Sequence, residues 1–98
     1  MKTDAEVVEG AIKLIKSEGW IKHRFHNKNG YCMSGALIKS SDGVLSEEVR
    51  DAVIVSAGQV VGEIKWEAIP YINDNLLPDG RRGKRKAIKI LKKAKKAL

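Results

Sequence analysis

Thr3-Asp4-Ala5-Glu6-Val7-Val8-Glu9-Gly10-Ala11-Ile12-Lys13-Leu14-Ile15-Lys16-Ser17-Glu18-Gly19 settles the first structural question about this chain. Thr3 and Glu6 stand at the spacing of a capping box, in which a hydroxyl and a carboxylate satisfy each other's backbone N–H groups at a helix start. Val8, Ala11, Ile12 and Ile15 then recur at three and four residues, the period of one helical face. Glu9 and Lys13 fall four apart on the wet side, and Gly19 is a natural C-terminal cap. A helix over residues 4–18 with one buried stripe follows, and the remaining elements must cover that stripe.

Outward from this helix, Trp20 to His26 alternates apolar Ile21 and Phe25 with polar Lys22, Arg24 and His26, which predicts a short extended segment. Asn27-Lys28-Asn29-Gly30 has turn chemistry, because Asn and Gly accept left-handed backbone. Tyr31 to Lys39 reads as a short buried helix in which Gly35 and Ala36 allow close approach of another backbone, and Ser40-Ser41-Asp42-Gly43 breaks it. Ser46 is the expected N-cap of a third helix, with Glu47 and Glu48 in the first turn where acids meet the positive pole of the helix dipole. Val49, Ala52, Val53, Ala57, Val60 and Val61 continue it at helical spacing. Val53-Ile54-Val55 favours a strand locally, but a period sustained over some fifteen residues outweighs a propensity of tenths of a kcal/mol per residue. Gly58 and Gly62 are expected to end this helix. Trp66 to Asn75 predicts a short helix or structured loop with Pro70 in a first turn.

Leu77-Pro78-Asp79-Gly80 is a turn, and from about Arg82 to Leu98 the chain is predicted to form a final helix with Ala87, Ile88, Leu91, Ala94 and Leu98 on one side. Its charge sets it apart. Residues 1–80 hold nine Lys/Arg and all twelve Asp/Glu, a balance of −3, whereas residues 81–98 hold ten Lys/Arg and no acid, out of a total net charge of +7. Such polarity points the C-terminal end at a polyanionic or acidic partner. The binding residues this implies are Arg81, Arg82, Lys84, Arg85, Lys86, Lys89, Lys92, Lys93 and Lys96.

The fold expected is therefore mostly α: one domain over residues 1–98, a small bundle of four or five short helices with a minor β-hairpin near residues 20–32. Val8, Ile12, Ile15, Leu37, Val53, Val60 and Leu91 are its expected core. At 98 residues one compact core is the ceiling, and 43% hydrophobic with 32% charged residues is the balance of a folded globular chain rather than a disordered one. Apolar runs stop far short of the roughly 20 residues that cross a bilayer, and Met1-Lys2-Thr3-Asp4 leads into the first helix without a signal core, so no membrane span and a cytoplasmic location are expected. No internal repeat or Pro- or Gly/Ser-rich linker divides the chain.

One pattern is familiar as a whole. Gly19-Trp20, then Cys32-Met33-Ser34-Gly35-Ala36, then Ile72-Asn73-Asp74 ahead of a last helix resembles an uncharacterised family of small proteins of actinobacteria and their phages. In that family a Gly-Trp pair, a Cys-x-x-Gly-Ala segment and a Trp-Asn-Asp triplet recur in this order; Ile72 stands here in place of the triplet's Trp. The resemblance implies a helical α or α+β fold and a phage or bacterial origin. It brings no activity with it.

Chemistry-bearing residues are few. Cys32 is the sole cysteine, so neither an intramolecular disulfide nor a thiolate zinc site can form within the chain. With His23 or His26 it suggests a cysteine nucleophile, but the histidine of such enzymes lies far off in sequence and nothing after Cys32 supplies one; a buried structural thiol is the expected role. His23-x-x-His26 lacks further ligands, and the alternation puts the two rings on opposite faces, so both are expected at the surface. Asn73-Asp74 offers one carboxylate without a second acid or base and is expected to cap or turn the backbone. Gly80-Arg81-Arg82-Gly83-Lys84 imitates a phosphate loop without the preceding strand or the Ser/Thr after the lysine. No enzyme, cofactor or metal is expected.

Two readings of the basic helix remain open at this stage. One is salt-dependent, sequence-independent contact with the DNA or RNA backbone through counterion release, since residues 81–98 carry no aromatic for stacking and no Asn or Gln for reading adenine. The other is a phage-type effector docking on an acidic surface of a host or viral protein. A solvated lysine-rich helix serving only its own packing is the bland alternative.

Overall fold

A computed structural model describes residues 2–98. Helix α1 (Asp4–Glu18) starts at Thr3, whose hydroxyl accepts from the Glu6 N–H at 3.1 Å while the Glu6 carboxylate accepts from the Thr3 N–H at 2.8 Å. It stops at Gly19, with φ of 110°, whose N–H reaches back to the Ile15 carbonyl. Val7, Val8, Ala11, Ile12 and Ile15 form its buried stripe.

The extended segment predicted from Trp20 to His26 is not continuous. His23 takes φ of 70° and turns the chain, so only β1 (His26–Asn27) pairs antiparallel with β2 (Gly30–Tyr31) around the Lys28–Asn29 turn. Trp20 makes a single bridge to Tyr31. Helix α2 (Met33–Ser40) follows, then α3 (Glu47–Val61), capped by Ser46 through the Val49 N–H at 3.2 Å and ended by Gly62. Gly58 lies inside α3 instead of ending it. The β-branched run is helical because Val53 is fully buried while Val55 stays exposed, which is helical periodicity and not alternation about a strand. Helix α4 (Ile69–Tyr71), with Pro70 in its first turn, runs into a π-helical turn (Ile72–Leu76). Helix α5 (Gly80–Ala97) closes the chain.

Helices α1, α3 and α5 pack together, with α2 laid on α1 and the hairpin and α4 at one end. The result is a slab of 33 × 31 × 18 Å. Six of the seven expected core residues are buried; Val60 is half-buried and packs against the core from its edge. The buried side of α5 is Gly83, Ala87, Ile90, Leu91 and Ala94. Against expectation, Ile88 is only half-buried and Leu98 is 41% exposed, because the helix is rotated so that Gly83 faces inward. A Cβ at Gly83 would strike the Pro78 carbonyl and the Trp20 ring, so the absence of one fixes how α5 seats on the body. Among the described residues no helix is long and apolar enough to cross a membrane.

Candidate nucleic-acid interface

Two constellations of polar residues stand out, and they differ in what surrounds them. The first is built around Asn73, which has no exposed surface. Its Oδ1 accepts from the Trp20 indole N–H at 2.7 Å and from the Met33 N–H at 3.1 Å, while its Nδ2 donates to the Ile21 carbonyl at 3.0 Å and to Asp74 Oδ1 at 2.9 Å. One side chain thus ties the segment after α1, the start of α2 and the π turn. Asp74 Oδ1 also accepts from the His23 N–H at 2.9 Å, which holds the left-handed residue in place. Lys22 bonds to the Leu77 carbonyl and pairs with Asp79 at 2.9 Å, fastening the same segment to the approach of α5. The Lys22 ion pair holds the Asp79 carboxyl below its ordinary range.

The three short motifs singled out in the sequence meet here. Gly19 accepts from the Tyr31 N–H at 3.0 Å and Trp20 fills the space above Gly83. Cys32 caps α2, its Sγ accepting from the Gly35 N–H at 3.2 Å. Gly35 must lack a Cβ because the Phe25 backbone carbonyl occupies that space. Ile72 is fully buried. Asn73-Asp74 is expected from sequence to cap or turn the backbone locally; the structure makes Asn73 a long-range bracket.

His23 and Cys32, weighed together in the sequence, are brought to one place, and Asp74 joins them, which spacing alone did not suggest. With Arg24, Phe25 and Pro70 they line a concavity of 170 Å³. Its chemistry is muted. Cys32 is 3% exposed, and burial pushes its thiol above the ordinary range; the Gly35 and Ser34 N–H groups pull the other way, and the Asp74 carboxylate adds to the rise. A nucleophilic cysteine needs the opposite shift. His23 Nδ1 lies 3.8 Å from Asp74 Oδ2, beyond a hydrogen bond. His26 is exposed and stacks on Tyr31 at 4.1 Å. Among the described residues no group of three His, Cys, Asp or Glu is arranged to hold a metal ion.

The second constellation is the outer side of α5. Arg81, Arg82, Arg85, Lys86, Lys89, Lys92, Lys93 and Lys96 are exposed and Lys84 is half-buried. Among the described residues none of these nine has an acidic partner. The tenth cation, Lys95, is spoken for: it pairs with Glu9 of α1 at 2.6 Å and holds that carboxyl below its ordinary range. Arg81 and Arg82 sit in the first turn, at the positive pole of the helix dipole, with no acid in that turn to offset them. The stretch Gly80 to Lys84 that imitates a phosphate loop is the opening of the helix itself. Farther along, Arg85, Lys89, Lys92, Lys93 and Lys96 surround a shallow groove with Ile88 among them.

A model described as a family of unknown function (DUF6197) matches residues 1–97. The chain belongs to that family. In this chain the bracket around Asn73 joins three segments of the fold, while the basic face of α5 lies outside it. No curated protein and no solved structure matches the chain.

Proposed function

We propose that this family member is a small non-enzymatic binding protein whose α5 contacts the phosphate backbone of nucleic acid without reading sequence. The observation that carries the reading is the contrast within α5 itself. Of ten cations in residues 81–98, only Lys95 is paired with an acid among the described residues, and the other nine lie on an ordered helix held by a buried apolar side. Like charges crowded along one helix repel, each i,i+4 pair by tenths of a kcal/mol, and a polyanion relieves that cost. Neutralising several phosphates releases their counterions, which makes binding strong at low salt and steeply weaker as salt rises. Insertion of α5 into a membrane surface is disfavoured, because its apolar side is already buried against α1 and α3.

The deciding experiment is a gel-shift series on random duplex and single strands at rising salt, alongside capture of partners from bacterial lysate with and without nuclease. Shifts that weaken as salt rises, and nuclease-sensitive capture, support the reading. Retention of a protein partner after nuclease treatment, with no shift at low salt, replaces it with docking of α5 on an acidic protein surface, the role expected of a phage-type effector.

A further inference from the structure

The cations of α5 are not spread evenly. At about 100° per residue, Arg81, Arg85 and Lys92 fall along one margin of the exposed arc and Arg82, Lys86 and Lys93 along the other, with Lys89 and Lys96 on the crest between them. The margins are splayed by roughly 100° about the axis, and the arc covers roughly 140°, opposite Gly83, Ala87, Ile90 and Ala94. Two rows splayed by roughly 100° on a helix 10–12 Å across stand about 8–9 Å apart, and long outward-reaching side chains carry their charges on to the edges of the ~12 Å B-form major groove. The 18 residues of α5 extend about 27 Å, enough to follow that groove past several phosphates on each strand.

We propose that α5 enters the major groove of B-form duplex DNA, with the Arg81, Arg85 and Lys92 row facing one phosphate strand and the Arg82, Lys86 and Lys93 row facing the other. This rests on the phosphate-binding reading and narrows it. Single strands are bound mainly by stacking bases on aromatic rings; the outer face of α5 has none, and the exposed Phe25 and Trp66 belong to other elements. Duplex RNA has a major groove too deep and narrow to admit a helix. The crest carries Lys89 and Lys96, flexible point charges rather than the rigid fork of arginine and with no Asn or Gln beside them, so the insertion brings little base reading. The rest of the chain is net acidic, nine Lys/Arg against twelve Asp/Glu in residues 1–80, and Glu48 and Asp51 of α3 are exposed, which favours the α5 side for a duplex.

The test is fluorescence anisotropy of the full chain with three labelled probes of one sequence, each about 15 nucleotides or base pairs long: duplex DNA, duplex RNA and single-stranded DNA, from about 50 to 200 mM salt. Duplex DNA is expected to bind at least about tenfold tighter than either alternative. Neutralising one row (Arg81→Gln, Arg85→Gln, Lys92→Gln) or the other (Arg82→Gln, Lys86→Gln, Lys93→Gln) is expected to flatten the slope of log affinity against log salt by similar amounts, about 2 to 3 each, at roughly 0.9 per phosphate lost. Circular dichroism of both variants is expected to match the parent. Equal or tighter binding of single strands or duplex RNA overturns groove insertion, as does a row whose neutralisation leaves the slope unchanged; both results leave backbone binding standing. Failure of all three probes to bind at the lowest salt overturns the insertion and the proposed function together.

Discussion

The bracket around Asn73 and the outer face of α5 are both dense in polar groups, and they treat those groups in opposite ways. At the bracket, an amide, an indole N–H and two backbone groups are withdrawn from water and matched donor to acceptor, and no buried side-chain N or O among the described residues lacks a partner. On α5, eight cations are exposed and Lys84 is half-buried, and among the described residues none of the nine pairs with an acid. Buried polar groups are expensive unless satisfied, so a closed network is a folding device. Unpaired surface charge of one sign works slightly against the fold through self-repulsion and is disposed to meet an opposite surface. The short motifs singled out in the sequence therefore mark how the protein is held together, and the surface proposed to bind lies elsewhere.

The comparison breaks most readily at Asn73. Asn73→Ala leaves the Trp20 indole, the Met33 N–H and the Ile21 carbonyl without their buried partner, and at 1–3 kcal/mol for each orphaned group only partly recovered by water, a loss of about 3–5 kcal/mol is expected in urea unfolding. Trp20 fluorescence should shift to the red in the same variant, while phosphate binding of whatever remains folded is unchanged. Gly83→Val tests the junction of the two regions: it forces Trp20 and the Pro78 carbonyl away from α5 and should cost about 2–3 kcal/mol, read as a fall in Tm of roughly 10 °C or more.

Smaller effects sharpen the contrast. Cys32→Ser keeps an N-cap oxygen where the thiol now accepts from Gly35, so a change within about 1 kcal/mol and no change in binding are expected. Because burial raises the Cys32 pKa, its contribution to stability is complete below the ordinary thiol range and is lost as pH rises through and beyond it. The parent should accordingly lose more stability than Cys32→Ser on the alkaline side, and its native thiol should react slowly with iodoacetamide. Lys95→Met removes a pair whose side chains are 42% and 35% exposed, worth about 0.5 kcal/mol or less after solvent screening. The depressed Glu9 pKa makes that contribution present at neutral pH and lost as pH falls through the acid range, so the parent and Lys95→Met should converge in stability in acid.

Much of the architecture was legible because it is written in local terms. Thr3 with Glu6, Gly19, Ser46 and the apolar spacing of α1 and α3 act within a few residues, and the structure follows them. The rotation of α5 was not legible, since Gly83 adds nothing to an apolar count and owes its inward position to Trp20 and Pro78, dozens of residues and one turn away respectively. Ile90 took the buried place expected for Ile88 for that reason. The bracket escaped notice because hydrogen bonds joining residues 20, 21, 33 and 73 leave no periodic trace. His23 likewise read as part of a strand, its turned backbone being imposed by Asp74 from far along the chain. The cationic stretch was the reverse case: charge counts alone set it apart, while the partial burial of Lys84 and the pairing of Lys95 with Glu9 required three dimensions.

The most direct test neutralises Lys89, Lys92, Lys93 and Lys96 together to Gln, which avoids placing acids at the negative end of the helix dipole, and follows duplex affinity and thermal unfolding on the same preparation. Separate roles for the two regions predict a salt slope flatter by about 2 to 4 with no loss of stability, the relief of like-charge repulsion along α5 raising it by about 1 kcal/mol. An unaltered slope, or a collapse in stability comparable to that of Asn73→Ala, would contradict the division between a bracket that folds the chain and a helix face that meets phosphate.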